Sequence, residues 1–483
     1  MNGFLLERSE EMTWAGLPRP AHACLFFRLF SALAICCVCF HADAGGAESP
    51  PHIVVFLADD LGWSDCSPYG GKDVPTPNMA RLAADGMTFT HAFVASPSCA
   101  PSRAALLTGL DPMRNGAMLN HARPRADIKK WPAYFRDLGY EVVSFGKVAH
   151  YAQVTDYGFD HASHFKYHED NCVEAAVKWL ASRKSAKPLC LLVGTNWPHV
   201  PWPKESKIDP AALKLPPTLV DTKETRQGRA RYLAAVANAD RDLGLVYDGA
   251  RKHLGKEALF LFTSDHGSQF PFGKWNAYDA GVRTPLIVAW PDRVKSGTTT
   301  KAIASWIDIL PTCLEVAGGK PPDSLSGRSF LAVLRGQRSE HRDKVFITHS
   351  GDGDMNRYPL RAVRTRDWKY IRSLDPDAEH HTHVDKAAKG DGRDYWDSWV
   401  EKAKVDSTAA AIVRRYHKRP AEELYDLNSD PWELKNLAAD ENHADRLKSQ
   451  RADLDAWMKD QKDEGLKTER SLPDPRAKKK DKP

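Results

Sequence analysis

Residues 53–58, Ile-Val-Val-Phe-Leu-Ala, form an unbroken apolar run rich in β-branched side chains. Runs of that kind belong to strands buried on both faces, as in a parallel sheet covered by helices. Similar runs recur at residues 142–145, 189–195, 258–263 and 285–289. Helical stretches at 131–138, 171–183 and 226–252 lie between them. Another helix opens at Thr76-Pro77, a cap followed by proline in the first turn, and Gly86 can close it. This alternation predicts an α/β fold with a mostly parallel central sheet flanked by helices.

The pattern changes near residue 340. Segments 344–347, 360–364 and 368–372 alternate like exposed antiparallel strands, with a tight turn at Arg366-Asp367. A polar loop rich in His and Asp runs to about Ser398, 402–419 reads as a charged helix face, and a helix is expected over 443–459. The expected organisation is a large domain over 45–340 and a smaller α+β domain with an antiparallel sheet over 341–465. A charged, disordered tail follows over 466–483.

The N-terminal 44 residues read differently. An apolar run from Leu25 to Phe40 carries one charge, Arg28, and precedes Ala42-Asp43-Ala44, a small-x-small cleavage form. That is the pattern of a secretory signal peptide, with Met12 as an alternative start, so the protein is expected to be secreted or periplasmic. A membrane anchor would need a longer run. A lipoprotein signal around Cys36 is weakened by the bulky Ile35 before it. Four of the nine cysteines lie in this region. The remaining Cys66, Cys99, Cys172, Cys190 and Cys313 are odd in number, which leaves at least one outside any internal disulfide. Hydrophobic content of 42% fits a globular chain. The net charge of +5, partly held by tail lysines, suits an anionic small substrate and gives no nucleic-acid footprint.

Polar clusters follow the buried runs. Asp59-Asp60 follows the first, Lys147 and nearby His150 the second, Asn196 to His199 the third, and Asp265-His266 the fourth. In an open parallel sheet the C-terminal strand ends share one edge, where ligand sites form. Asp59, Asp60 and Asp265 would repel one another there unless a hard divalent cation, Ca²⁺ or Mg²⁺, joined them, with His266 beside them as a further ligand. A cap or turn role for Asp59-Asp60 is the plain alternative. Cys99 opens the helix-forming run Ala104 to Thr108, so it sits at a helix N-terminus that favours an anion. Arg103, one turn on, can fork onto oxyanions.

The segment Cys99-Ala100-Pro101-Ser102-Arg103 through Leu107-Thr108-Gly109 resembles the signature of the type I sulfatases of the alkaline phosphatase superfamily. Asp59-Asp60, Asp265-His266, the stretch from Gly139-Tyr140 to Gly146-Lys147, and Glu423 to Leu427 with Asp430-Pro431 extend the likeness over most of the chain. The resemblance implies an alkaline-phosphatase-like large mixed sheet flanked by helices. It implies that a separate maturation enzyme oxidises Cys99 to formylglycine. It also implies one calcium ion held by Asp59, Asp60, Cys99, Asp265 and His266. Lys147 and Arg103 would then stabilise the sulfuryl oxygens, His199 and Lys274 would serve the leaving group, and His150 would take a proton from the second hydroxyl of the hydrated aldehyde.

Within that family, Gln269 to Lys274 and Tyr358 to Val363 resemble the heparan N-sulfatases. Gly351 to Asp354 departs from them in a segment expected to line the pocket. The resemblance implies a sulfated amino sugar, with N-sulfoglucosamine first. Arg361 and Arg364 are three apart, so at most one should reach the pocket from a regular strand. Two other functions stay open: a phosphoester or phosphonate hydrolase of the same superfamily, and an inactive sulfated-glycan-binding protein. His380, His381 and His383 could bind a transition metal, but a solvated loop is the expected reading. Trp197 and Trp202 suit a sugar-stacking role and a packing role equally.

Overall fold

Ile53–Ala58 (β1) lies inside an eight-stranded sheet, and none of its six residues reaches solvent. The computed structural model describes residues 50–164, 171–390, 392–473 and 475. The expected leader over 1–44, its four cysteines and the tail lysines lie outside them. The other strands of the sheet are Met87–Phe93 (β2), Glu141–Gly146 (β3), His161–Ser163 (β4), Leu189–Gly194 (β5), Leu259–Ser264 (β6), Leu286–Ala289 (β7) and Thr298–Ser305 (β8). They run in the order β4-β3-β5-β1-β6-β7-β2-β8. Only β7 is antiparallel, to both β6 and β2, so the sheet is mixed and mostly parallel.

The order explains why the apolar runs carry polar ends. β3, β5, β1 and β6 are consecutive and mutually parallel, so Lys147, Asn196 to His199, Asp59-Asp60 and Asp265-His266 leave the sheet at one edge. Two glycines make the β3–β5 exit possible. A Cβ on Gly146 would stand 2.2 Å from the Gly194 carbonyl oxygen, and one on Gly194 would stand 2.2 Å from that of Lys147. The backbones therefore touch where the chain turns Lys147 into the site. β2 and β8 were not evident from the apolar pattern. Their threonine-rich sequences extend because they pair with each other along most of their length.

Lys344–His349 (β9), Leu360–Thr365 (β10), Trp368–Ser373 (β11) and Glu422–Asp426 (β12) form a second, antiparallel sheet in the order β12-β11-β10-β9. Arg364 pairs with Lys369 across the expected turn. The strands are not exposed as expected, because β10 is buried over five of its six residues. Its two arginines are the reason. Arg361 reaches Asp463 at 2.5 Å and Glu469 at 2.7 Å, whereas Arg364 reaches Asp279 at 3.0 Å. They face opposite sides, as the spacing required, but both end in buried ion pairs and neither lines the pocket around Cys99. Arg361→Leu is expected to destabilise the fold by about 3–5 kcal/mol, because Asp463 and Glu469 would stay buried without their cation. Urea denaturation measures this, and KM should be unchanged in the folded variant.

The segment expected as tail begins with a helix, Leu466–Ser471, whose Glu469 is this partner of Arg361. The expected polar loop before Ser398 also differs. It contains helices His383–Lys386 and Arg393–Ala403 and lies under the helix Ser407–His417. His380 is fully buried against the rings of Tyr358 and Tyr416, and its backbone N–H donates to the His417 carbonyl. The helix expected to be only a charged face ends beside inward arginines, with Arg415 and Arg419 about 5 Å over the Tyr278 ring. All five cysteines among the described residues are buried.

Candidate active site

Cys99 is the first residue of the helix Cys99–Thr108, every residue of which is buried, and Gly109 closes it in the left-handed conformation. The thiol therefore sits at the positive end of a buried helix dipole. Its Sγ is 3.3 Å from His266 Nε2 and 3.9 Å from Lys147 Nζ. Burial opposes a thiolate, but Lys147, Lys274 and His266 outweigh it and hold the Cys99 thiol well below its usual range. The same environment would favour any anion at this point.

The carboxylates converge around it. Asp60, Cys99, Asp265 and His266 each offer one ligand atom, and these atoms lie within 4.8 Å of one another. Asp60 has φ +65°, unusual for a non-glycine residue, and its N–H donates to Asp265 Oδ1 at 3.1 Å. Asp59 stands next to this group. Its carboxylate accepts from Lys147 Nζ at 2.5 Å and from Arg103 Nη2 at 3.2 Å, which keeps it ionised well below the usual range despite burial. Lys274 Nζ bridges both Asp60 oxygens at 3.0 Å. Burial pushes Asp265 up to about 6, against Arg103 and His266. Burial opposes charge on His266, yet Asp265, Cys99 and Asp60 raise it to about 9. Three fully buried carboxylates with an imidazole form a mainly oxygen donor set that fits a hard divalent cation.

Arg103 does not reach outward. Its Nε donates to Asp265 at 2.9 Å, Nη2 to Asp59 and Nη1 to the Lys147 carbonyl, and it is fully buried. The expected oxyanion fork is therefore spent on the carboxylates, and Arg103 orients Asp59, Asp265 and the Lys147 backbone. Ser102 adds a bond from Oγ to the Asp265 carbonyl at 2.7 Å.

A cavity of about 200 Å³ opens over Cys99. His150, His199 and Lys274 line it, as do Asn120, His121, Gln269, Trp275, Asp352 and His383. His199 Nε2 is 3.8 Å from Asp60 Oδ2, and its Nδ1 donates to the Val200 carbonyl at 2.7 Å. His150 Nε2 is 2.8 Å from His121 Nδ1, and burial lowers His150 to about 4, which keeps it neutral near pH 7. Asp352, from the segment expected to line the pocket, accepts from Asn120 Nδ2 at 3.1 Å and meets His121 at 3.5 Å. Asn120 and His121 lie in a turn with no apolar pattern and carried no sequence signal. His383 reaches the cavity stacked on Trp275, with ring centroids 5.7 Å apart. Trp197 and Trp202 pack instead, Trp202 stacking on Phe270 and donating to the Pro198 carbonyl. A larger cavity of about 540 Å³ near Asp111 and Trp457 contains none of these groups.

The second sheet braces this site. Asp279, five residues after Lys274, receives Arg364 at 3.0 Å and Lys369 at 2.6 Å, and Tyr278 donates to Glu423 at 2.7 Å.

Residues 51–319 match the sulfatase family model. The chain belongs to the sulfatase family. Residues 267–388 of this sulfatase match the model of the N-sulphoglucosamine sulphohydrolase C-terminal region. An ulvan-active sulfatase of Formosa agariphila is 31% identical over 429 residues, covering 86% of this chain and 81% of that protein. The human N-sulphoglucosamine sulphohydrolase is 26% identical, covering 85% and 90%. A protein solved in complex with its substrate D-glucosamine-2-N,6-O-disulfate has the same fold, at 20% identity and a TM-score of 0.66, covering 86% of this sulfatase and 99% of that chain. Among the described residues no helix is long and apolar enough to cross a membrane.

Proposed function

We propose that the enzyme removes sulfate from the terminal unit of a sulfated amino sugar, with the N-sulfate of glucosamine as the preferred position. One observation carries this reading. The region matching N-sulphoglucosamine sulphohydrolases supplies Gln269, Lys274, Trp275, Asp352 and His383, much of the pocket wall. A cavity of about 200 Å³ is smaller than a drug-sized pocket of about 300–1,000 Å³, which favours a single ring at a chain end. A second reading is a sulfated algal saccharide, favoured by the 31% identical ulvan-active relative.

Asp59, Asp60, Asp265 and His266 would hold the divalent ion, calcium by the family likeness, which supplies Lewis-acid polarisation of the sulfate oxygens. Cys99, oxidised to formylglycine by a separate maturation enzyme, supplies an aldehyde hydrate as nucleophile in a protein exported through the 1–44 leader. Lys147 and Lys274, both buried beside Cys99, place fixed positive charge against the sulfuryl group as its charge redistributes. Lys274 and His199 lie on the cavity wall where a leaving nitrogen or oxygen would take up a proton. His150, neutral and beside Cys99, is placed to accept one. Arg103 positions the carboxylates without touching substrate.

Asp352 puts a carboxylate on a pocket wall that also carries Lys274. It suits hydroxyl donors on the sugar and repels a second sulfate. Asp352→Asn is expected to raise the ratio of kcat/KM for a disulfated over a monosulfated glucosamine by about tenfold, or about 1.4 kcal/mol. An unchanged ratio would remove Asp352 from substrate selection. The wider test sets sulfate esters and sulfamates against matched phosphate and phosphonate esters. Faster phosphate release would favour the superfamily alternative, and no turnover of any by protein carrying the aldehyde would favour a glycan-binding role.

A further inference from the structure

A second group of metal-binding side chains lies apart from the catalytic carboxylates. His381, Asp385 and His417 each offer one ligand atom within 4.8 Å of the others. Their surroundings orient them as ligands. His417 Nδ1 donates to the His380 carbonyl at 3.0 Å, which leaves Nε2 as the lone-pair nitrogen of the neutral ring. Asp385 Oδ1 is held by the Thr382 N–H at 2.7 Å and the Tyr416 hydroxyl at 2.8 Å, so Oδ2 faces His381. His381 Nδ1 hydrogen-bonds to that oxygen at 2.6 Å, so an ion that enters between them displaces the proton they share. Backbone and side-chain bonds of this kind fix ring tautomer and carboxylate direction at metal centres. The His381 side chain is 26% exposed, so an ion has a path in from solvent.

We propose that His381, Asp385 and His417 form a zinc site that clamps the turn at 381–386 to the end of the helix Ser407–His417. Two imidazoles and one carboxylate suit a borderline divalent ion and leave a fourth position for water. Bonds of about 2.0–2.2 Å close the observed spread with small side-chain movements. This donor set contrasts with the oxygen-rich group at Cys99, so the two sites select different ions. The clamp also has a functional position. His383 lies in the clamped turn and forms part of the substrate pocket against Trp275. Zinc would hold that wall without touching the reacting atoms.

The test is zinc chloride titration by calorimetry on the full protein in saturating calcium, comparing the parent with His417→Gln and His381→Gln. Glutamine keeps side-chain volume and an amide donor, and circular dichroism confirms folding. The expected result is one equivalent of zinc in the parent, bound at least about 100-fold more weakly in either variant, and a zinc-dependent rise in parent Tm that both variants lose. Equal zinc affinity in parent and His417→Gln would overturn the proposal. Anomalous scattering at the zinc edge from parent crystals decides the matter without a variant. A peak between His381 and His417 supports the clamp, and zinc found only beside Asp265 overturns it.

Discussion

Replacing Cys99 with alanine is expected to reduce sulfate hydrolysis by about 10³-fold or more while leaving the fold intact. Position 99 is where a helix N-terminus, Lys147, Lys274 and His266 concentrate positive charge on one atom. Alanine is a strong helix former and adds no bulk to a buried position, so Lys147 keeps Asp59 and Lys274 keeps Asp60. What disappears is the proposed nucleophile. Initial rates on a sulfated sugar, with circular dichroism on the same sample, measure both halves. Near-parental turnover in the variant would place the chemistry elsewhere.

Asp265→Asn should have the next largest effect. Asp265 meets Arg103 at 2.9 Å, His266 at 3.6 Å and the Asp60 N–H at 3.1 Å, all buried. Asparagine retains the shape and an acceptor for Asp60 but removes the charge. Arg103 would then face Asp59 alone, and breaking such a buried pair costs about 3–5 kcal/mol. Divalent-ion affinity should fall by at least about 100-fold, and kcat/KM should fall with it. In zinc-free protein, chelation should lower the Tm of the parent, because an ion that binds only the native state stabilises it, and should change the variant little. A parent with unchanged Tm after chelation and no stoichiometric divalent ion would contradict the cation site.

The buried strands and their polar ends were legible because a parallel sheet writes itself as continuous apolar runs. β1, β5 and β6 are such runs, and the clusters after them do meet at one edge. The Cys99 helix was legible from its dense local pattern. The ion pairs of Arg103 were not, because its partners Asp59 and Asp265 lie 44 and 162 residues away and only the fold brings them to its guanidinium. The partners of Arg361 and Arg364 were hidden for the same reason. Strand periodicity gave their opposite faces, but nothing local shows that Asp463, Glu469 and Asp279 wait on each side. His383 was hidden in a polar stretch whose burial depends on the covering helix Ser407–His417. Asn120 and His121 sit in a turn, where side chains follow no period.

Sulfate released from N-sulfoglucosamine, compared by ion chromatography with that from 6-O-sulfated and 2-O-sulfated sugars and ulvan fragments, decides which sulfate the enzyme removes. The fastest initial rate is expected on the N-sulfated monosaccharide or chain end, with that rate lost in Cys99→Ala. O-sulfate release with no turnover of the N-sulfate would contradict it.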